Sequence, residues 1–215
     1  MQDTPAPAAL SDLDLAALVS SRICHDIINP VSAISNGLEM LSEDPDADMR
    51  EASMDLIRKS AAQASAKLQF ARLAFGAAGS ASAVIDTRDA ERAARAFVGC
   101  SEKHGLVWEG PALILPKNKV KLLLNLVALG FAALPRGGSL RAGLFGDEPD
   151  VAFTVTATGR AAKLNEAVLA LLGGEALPEI DSHAIQPYYA ARLAKAAGMS
   201  LRVEAGEDEV VLKAS

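Results

Sequence analysis

His25 and Asp26 are adjacent, and both belong to the run Cys24-His25-Asp26-Ile27-Ile28-Asn29-Pro30-Val31. Imidazole is a nucleophile at neutral pH, and a carboxylate bonded to one ring nitrogen fixes the tautomer and raises the reactivity of the other. A surface histidine by itself is ordinarily just solvated, but two neighbours set this one apart. Asp26 is the first. Pro30 is the second, because a proline inside a helix removes a backbone donor and clashes with the carbonyl four residues earlier, at a cost of about 3 kcal/mol. Here that carbonyl belongs to Asp26, so a bend is expected beside His25. The chemistry these residue types support is nucleophilic attack by a histidine, with a carboxylate as orienting group and base.

The element that must position them is a helix. Val19, Ile23, Ile27, Val31, Ile34, Leu38 and Leu41 recur at steps of three and four, forming one stripe about 120° wide at about 100° per residue. His25 points about 175° away from the centre of that stripe, and Ser21, Arg22, Asn29, Ser32 and Asn36 cluster on its side. Ser11 or Asp12 suits the helix start, and Asp44-Pro45-Asp46 a turn. Asp46 or Asp48 then caps a second helix that places Met49, Leu56, Ser60, Ala64, Leu68 and Phe75 on one face. Two long helices joined by a short turn form a helical hairpin. A hairpin alone buries too little, so a second copy is expected to complete a four-helix bundle, as a homodimer.

Composition narrows the class. The formal net charge of −6 argues against nucleic acid and against an anionic membrane surface as partners. Cys24 and Cys100, the two cysteines, are expected as reduced thiols of a cytoplasmic protein rather than a disulfide or zinc site. The N-terminal MQDTPAPAAL has no basic region followed by an apolar run, so no signal peptide is expected. The apolar run 120–134 contains Lys121 and Asn125. It falls short of the roughly 18 residues of a membrane span and reads as a core helix.

Residues 76–83 (GAAGSASA) read as a flexible linker, dividing the chain into domains 1–80 and 81–215. Beyond it, strands are expected over 84–86, 106–108, 113–115, 140–145, 151–156, 201–204 and 209–212. Helices are expected over 88–103, 117–134, 163–172 and 187–197. The segment GDEPD reads as a hairpin turn, and residues 204–209 as a solvated acidic turn. The fold class is α+β: the helical hairpin followed by helices layered on one sheet. His104 is placed in a turn, His183 near a helix start, and Trp108 in the core or as a surface anchor.

The run around His25 resembles the phosphoacceptor H-box of two-component histidine kinases: a histidine followed by an acidic residue, with Asn or Thr and then Pro further along. The second region resembles the ATP-binding domain that follows such a bundle, with its ATP chemistry gone. On Leu122-Leu123-Leu124-Asn125-Leu126-Val127-Ala128-Leu129, Asn125 matches the first asparagine of the kinase motif. Leu129 stands where the magnesium ligand belongs, and an alkyl chain cannot coordinate a hard cation. Ala132 takes the usual lysine position. Val155-Thr156-Ala157-Thr158-Gly159-Arg160-Ala161 has the shape of the adenine-reading Asp-x-Gly-x-Gly box, with alanine for the aspartate and for the last glycine. Ala184-Ile185-Gln186-Pro187-Tyr188 replaces the glycine-rich phosphate lid.

The chain is thereby identified as similar to the ChpT-type histidine phosphotransferases of alphaproteobacteria, which resemble dimeric histidine kinases with a decayed ATP site. That resemblance implies a relay of phosphate from the receiver domain of a hybrid histidine kinase to the response regulators of a cell-cycle phosphorelay, CtrA-like and CpdR-like. His25 would be the phosphorylated nucleophile, Asp26 its orienting base, and Asn29 would position the attacking or leaving group. Arg22, Ser32 and Asn36 would meet the partner. No cofactor or metal would be bound by this chain, the Mg2+ being expected on the partner receiver domain. Two other readings stay open on sequence: an ATP-using histidine kinase with a divergent site, and a non-catalytic dimeric scaffold for receiver domains.

Overall fold

The computed structural model describes residues 10–43, 45–76, 83–175, 180–181 and 184–215. Most of the expected linker lies outside them, as do Asp44, His183 and all but the last residue of MQDTPAPAAL. Two long helices lead: α1 (Asp12–Ser42) and α2 (Ala47–Ala74). Each starts on a side-chain cap, Ser11 Oγ accepting from the Asp14 amide at 3.1 Å and Asp46 Oδ1 from the Met49 amide at 2.8 Å. α1 runs unbroken through Pro30, which is buried. The two pack through small residues. A Cβ at Gly37 would stand 2.7 Å from Ile57 Cγ1 and 3.3 Å from the Ser53 carbonyl, and Ser53 and Ser60 are buried.

The single apolar stripe expected on α1 is divided. Ile23, Ile27, Ile34 and Leu41 are half-buried. Val31 and Leu38, about a sixth of a turn away, remain 43% and 55% exposed, and Ile28 is 57% exposed. The apolar surface of α1 is therefore wider than α2 covers. On α2, Met49, Leu56 and Leu68 stay exposed rather than joining Ser60 on a buried face. Ala66, Phe70 and Ala74 are buried instead. A one-partner helical wheel fails here because α2 packs against α1 on one side and the following layer on another.

That layer begins with β1 (Val84–Asp86), α3 (Thr87–Val98), β2 (His104–Glu109), β3 (Ile114–Pro116) and α4 (Lys117–Ala132). It continues through β4 (Gly138–Phe145), β5 (Ala152–Thr158), α5 (Glu166–Leu172), α6 (Ile185–Ala197), β6 (Leu201–Gly206) and β7 (Glu209–Ala214). β1 pairs antiparallel with β3. The other five strands form one sheet in the order β2-β4-β5-β7-β6, with β2 and β4 parallel and the other pairs antiparallel. Alternation is clean on β5: Phe153, Val155 and Ala157 are buried, while Thr154, Thr156 and Thr158 are not. The inward face carries the helices and the other is mostly polar, with Val107 and Phe145 exposed on it, giving a two-layer α/β sandwich behind the hairpin.

The elements match the expected ones with shifted ends. α3 stops at Val98 instead of running to 103, and α5 starts at Glu166, after Asn165 caps it by accepting from the Val168 amide. β6 and β7 extend into the expected acidic turn. His104 is the first residue of β2 rather than part of a turn. Its Nε2 donates to the Leu134 carbonyl at 3.0 Å, Nδ1 lies 2.7 Å from Ser101 Oγ, and the ring packs 4.3 Å from that of Phe131. Trp108 is half-buried against the core.

Candidate phosphotransfer site

His25 sits on the outer flank of α1 with 64% of its side chain exposed, and Nδ1 faces Asp26 Oδ1 at 3.4 Å. Arg22, one turn before Asp26, donates from Nε to Asp26 Oδ2 at 2.9 Å. The three side chains thus form a line, Arg22 to Asp26 to His25, set by helical spacing alone. Asn29, Ser32 and Asn36 are exposed and lie within about 60° of one another and of His25 around the helix. Arg22 and Asp26 fall between that flank and α2. The sequence-predicted residues therefore share one helix face, with Arg22 and Asp26 bonded to each other and Asn29, Ser32 and Asn36 presented to solvent.

One residue that contacts this site was not singled out from the sequence. Lys67 on α2 donates from Nζ to the backbone carbonyl of Asp26 at 3.0 Å. Pro30 has no amide hydrogen to give that carbonyl, so a substitute donor is needed. The need could be read from the sequence, but not the residue that meets it. Arg22, Asp26 and Lys67 also line a cavity of about 280 Å³ whose far wall is aromatic, with Phe70, Phe97 and Phe131. Those rings lock α2, α3 and α4 together: Phe70 stacks on Phe97 at 4.2 Å between centroids, and Phe97 meets Phe131 at 5.2 Å. Such pairs contribute about 0.5–1.5 kcal/mol beyond burial.

The kinase-like boxes of the sandwich are occupied by its core. Leu129 is 3% exposed and Ala157 is fully buried. A Cβ on Gly130 of α4 would stand 2.8 Å from Leu140 and 3.7 Å from the Ala157 methyl, so this space is filled by packed side chains. Asn125 is also buried. Its Nδ2 donates to the carbonyls of Ala74, at 3.2 Å, and Lys121, at 2.9 Å. It thus ties α4 to the last turn of α2, where helix carbonyls lack their own donors. Lys121, whose ammonium lies 3.5 Å from the Phe75 carbonyl, has its pKa lowered by burial and secondarily by Lys117. Gly159 survives in its box for packing: a Cβ there would lie 2.4 Å from the Gly137 carbonyl. Ala161 keeps a glycine-like φ of 61°, its amide donating to Asp208 Oδ1 at 2.6 Å. The segment expected to replace the lid forms the start of α6, with Ile185, Gln186 and Pro187 buried.

Among the described residues, no helix is long and apolar enough to cross a membrane. Both cysteines are free thiols, and burial raises the pKa of Cys100 against a smaller opposing effect of Lys67.

A helical hairpin bearing an exposed, carboxylate-paired histidine and backed by an α/β sandwich is an arrangement suited to a phosphotransfer protein. Comparison with known proteins narrows this. Residues 87–209 match the family described as histidine phosphotransferase C-terminal domain. Protein phosphotransferase ChpT of Brucella abortus (strain 2308) is 51% identical over 209 residues, covering 97% of this chain and 98% of that one. A bacterial phosphotransferase solved at 1.7 Å is 49% identical, with a TM-score of 0.88 over 98% of this chain and all of that one. A histidine kinase domain from Erythrobacter litoralis is matched at 13% identity and a TM-score of 0.49, too distant to bear on the site. The chain belongs to the histidine phosphotransferase family, and it is a protein phosphotransferase.

Proposed function

We propose that His25 carries the phosphoryl group in transit between two receiver domains. With Nδ1 turned to Asp26, Nε2 is the nitrogen presented to an incoming phosphoryl group. In the first step Nε2 attacks the phosphorus of an aspartyl phosphate. An N–P bond forms, the acyl O–P bond breaks, and the receiver's carboxylate leaves. In the second step the carboxylate of another receiver attacks the phosphohistidine, and Nε2 leaves as neutral imidazole. Asp26 balances the positive charge that the ring carries in between, and Arg22 keeps Asp26 in place. Phosphoryl transfer asks mainly for position and charge balance, which this flank of α1 supplies.

The observation that carries this reading is the exposed imidazole with a carboxylate held at Nδ1. The donor would be the receiver domain of a hybrid histidine kinase, and the acceptors response regulators of the CtrA-like and CpdR-like kinds. Asn29 would contact the transferring group, and Arg22, Ser32 and Asn36 the docked receiver. This chain would supply no cofactor, the divalent cation coming with the receiver. Burial of Leu129 and Ala157 in apolar packing supports a relay that does not draw on ATP. The exposed Ile28, Val31 and Leu38 on α1 and Leu68 on α2 support a homodimer in which a second hairpin covers them. A sedimentation mass of one chain would contradict that assembly. The relay is tested by incubating wild type and His25→Ala with a labelled phosphoreceiver domain, without ATP. Label on the wild type alone is expected; no label on the wild type with any of several receivers would favour a scaffold.

A further inference from the structure

We propose that Lys67 is a positioning residue of the phosphotransfer site, replacing the helical donor that Pro30 takes from Asp26; the inference rests on His25 being the phosphoacceptor. In a continuous helix the amide of residue 30 would donate to the carbonyl of residue 26. Proline has no such hydrogen, and yet α1 continues through it. A carbonyl left bare at this point would turn towards water or other donors, and the peptide it belongs to links Asp26 to the residues that follow. Lys67 prevents this by reaching across from α2 and donating to that oxygen at 3.0 Å.

The same residue, Asp26, is gripped a second time at its side chain, where Arg22 Nε donates to Oδ2 at 2.9 Å. Two cations from two helices thus hold the backbone and the carboxylate, and the remaining carboxylate oxygen, Oδ1, faces His25 Nδ1. The Lys67 ammonium is part-buried at the edge of a cavity whose lining includes Phe70, Phe97 and Phe131. A hydrogen bond there competes with less water than one at an open surface. A lysine engaged only in surface ion pairing would seek a carboxylate. This one takes a backbone carbonyl, the one that a proline four residues on has left without its partner.

The test is single-turnover transfer from a phosphorylated receiver domain to the full-length protein. Lys67→Met, which keeps the stem and removes the donors, is compared with Lys67→Arg, each in the native and the Pro30→Ala background. In the native background Lys67→Met should slow transfer at saturating receiver about 10-fold or more, as small misplacements of a reacting group do. The receiver concentration at half-maximal rate should stay within about twofold, and Lys67→Arg should recover most of the loss. In the Pro30→Ala background the amide of residue 30 satisfies the Asp26 carbonyl, so Lys67→Met should cost less than about threefold. Equal losses in both backgrounds, or no loss in the native one, would overturn the assignment while leaving a dead His25→Ala to uphold the relay. Label on His25→Ala would overturn the relay and the role of Lys67 with it. Thermal melts of each variant separate slow transfer from unfolding.

Discussion

Helix α1 around His25 and helix α4 around Asn125 are both long apolar helices interrupted by polar residues, and the fold uses them in opposite ways. On α1 the polar residues stand on the outer flank, with the His25 side chain 64% exposed and a carboxylate at its inner nitrogen. On α4 every residue from Lys119 to Gly130 is buried. Asn125 spends its amide on the carbonyls of Ala74 and Lys121 and leaves Oδ1 without a hydrogen-bond partner among the described residues. The difference teaches that retention of a motif residue says little until its surroundings are known. Asn125 is structural here, whereas His25 stands in an environment in which imidazole can react.

The comparison breaks most readily at Leu129. If α4 is now core, Leu129→Asn, which restores the kinase-like residue type, should destabilise the protein by about 4 kcal/mol in urea denaturation. It loses a buried side chain and buries an amide without partners. A loss under about 1 kcal/mol would mean that the region is still a solvated site. On α1 the matching change is Asp26→Asn, which keeps the shape and removes the charge. Transfer should fall about 100-fold while stability moves by less than about 1 kcal/mol, as for a half-exposed ion pair within one helix; kinetics and melts on the same samples check both. The smallest effect is expected at Ala161, where a residue with a Cβ holds φ at 61°. Ala161→Gly should raise stability by about 1 kcal/mol with no change in transfer, and an unchanged melting temperature would mean that this position is not strained.

The two regions were unequally legible in the sequence. The His25–Asp26 pair could be read because the two residues are adjacent, whereas the Arg22–Asp26 bond, four positions apart on one helix, stands where the sequence reading expects Arg22 to meet a partner. The residues that replaced the nucleotide boxes could be identified, but not their present work: Gly159 is held by the backbone of Gly137, and Asn125 by the end of α2. The second packing face of α2 was not read: Phe70 and Ala74 pack on a second layer while Met49, Leu56 and Leu68 remain outside, and no single wheel describes a helix with two partners. Lys67 lies 41 positions from the carbonyl it serves, and such a pairing is a property of the hairpin register. Pro30 announced a missing donor without saying where the replacement would come from.

The account turns on which atom holds the phosphoryl group. The most direct measurement is 31P NMR of the wild-type protein after exchange with a phosphoreceiver domain, with peptide mapping of the same sample. The expected result is a phosphoramidate resonance from an Nε2-phosphorylated imidazole, on a peptide containing His25. A phosphoryl group on His104 or His183, an acyl phosphate on a carboxylate, or attachment at Nδ1 of His25 would contradict it.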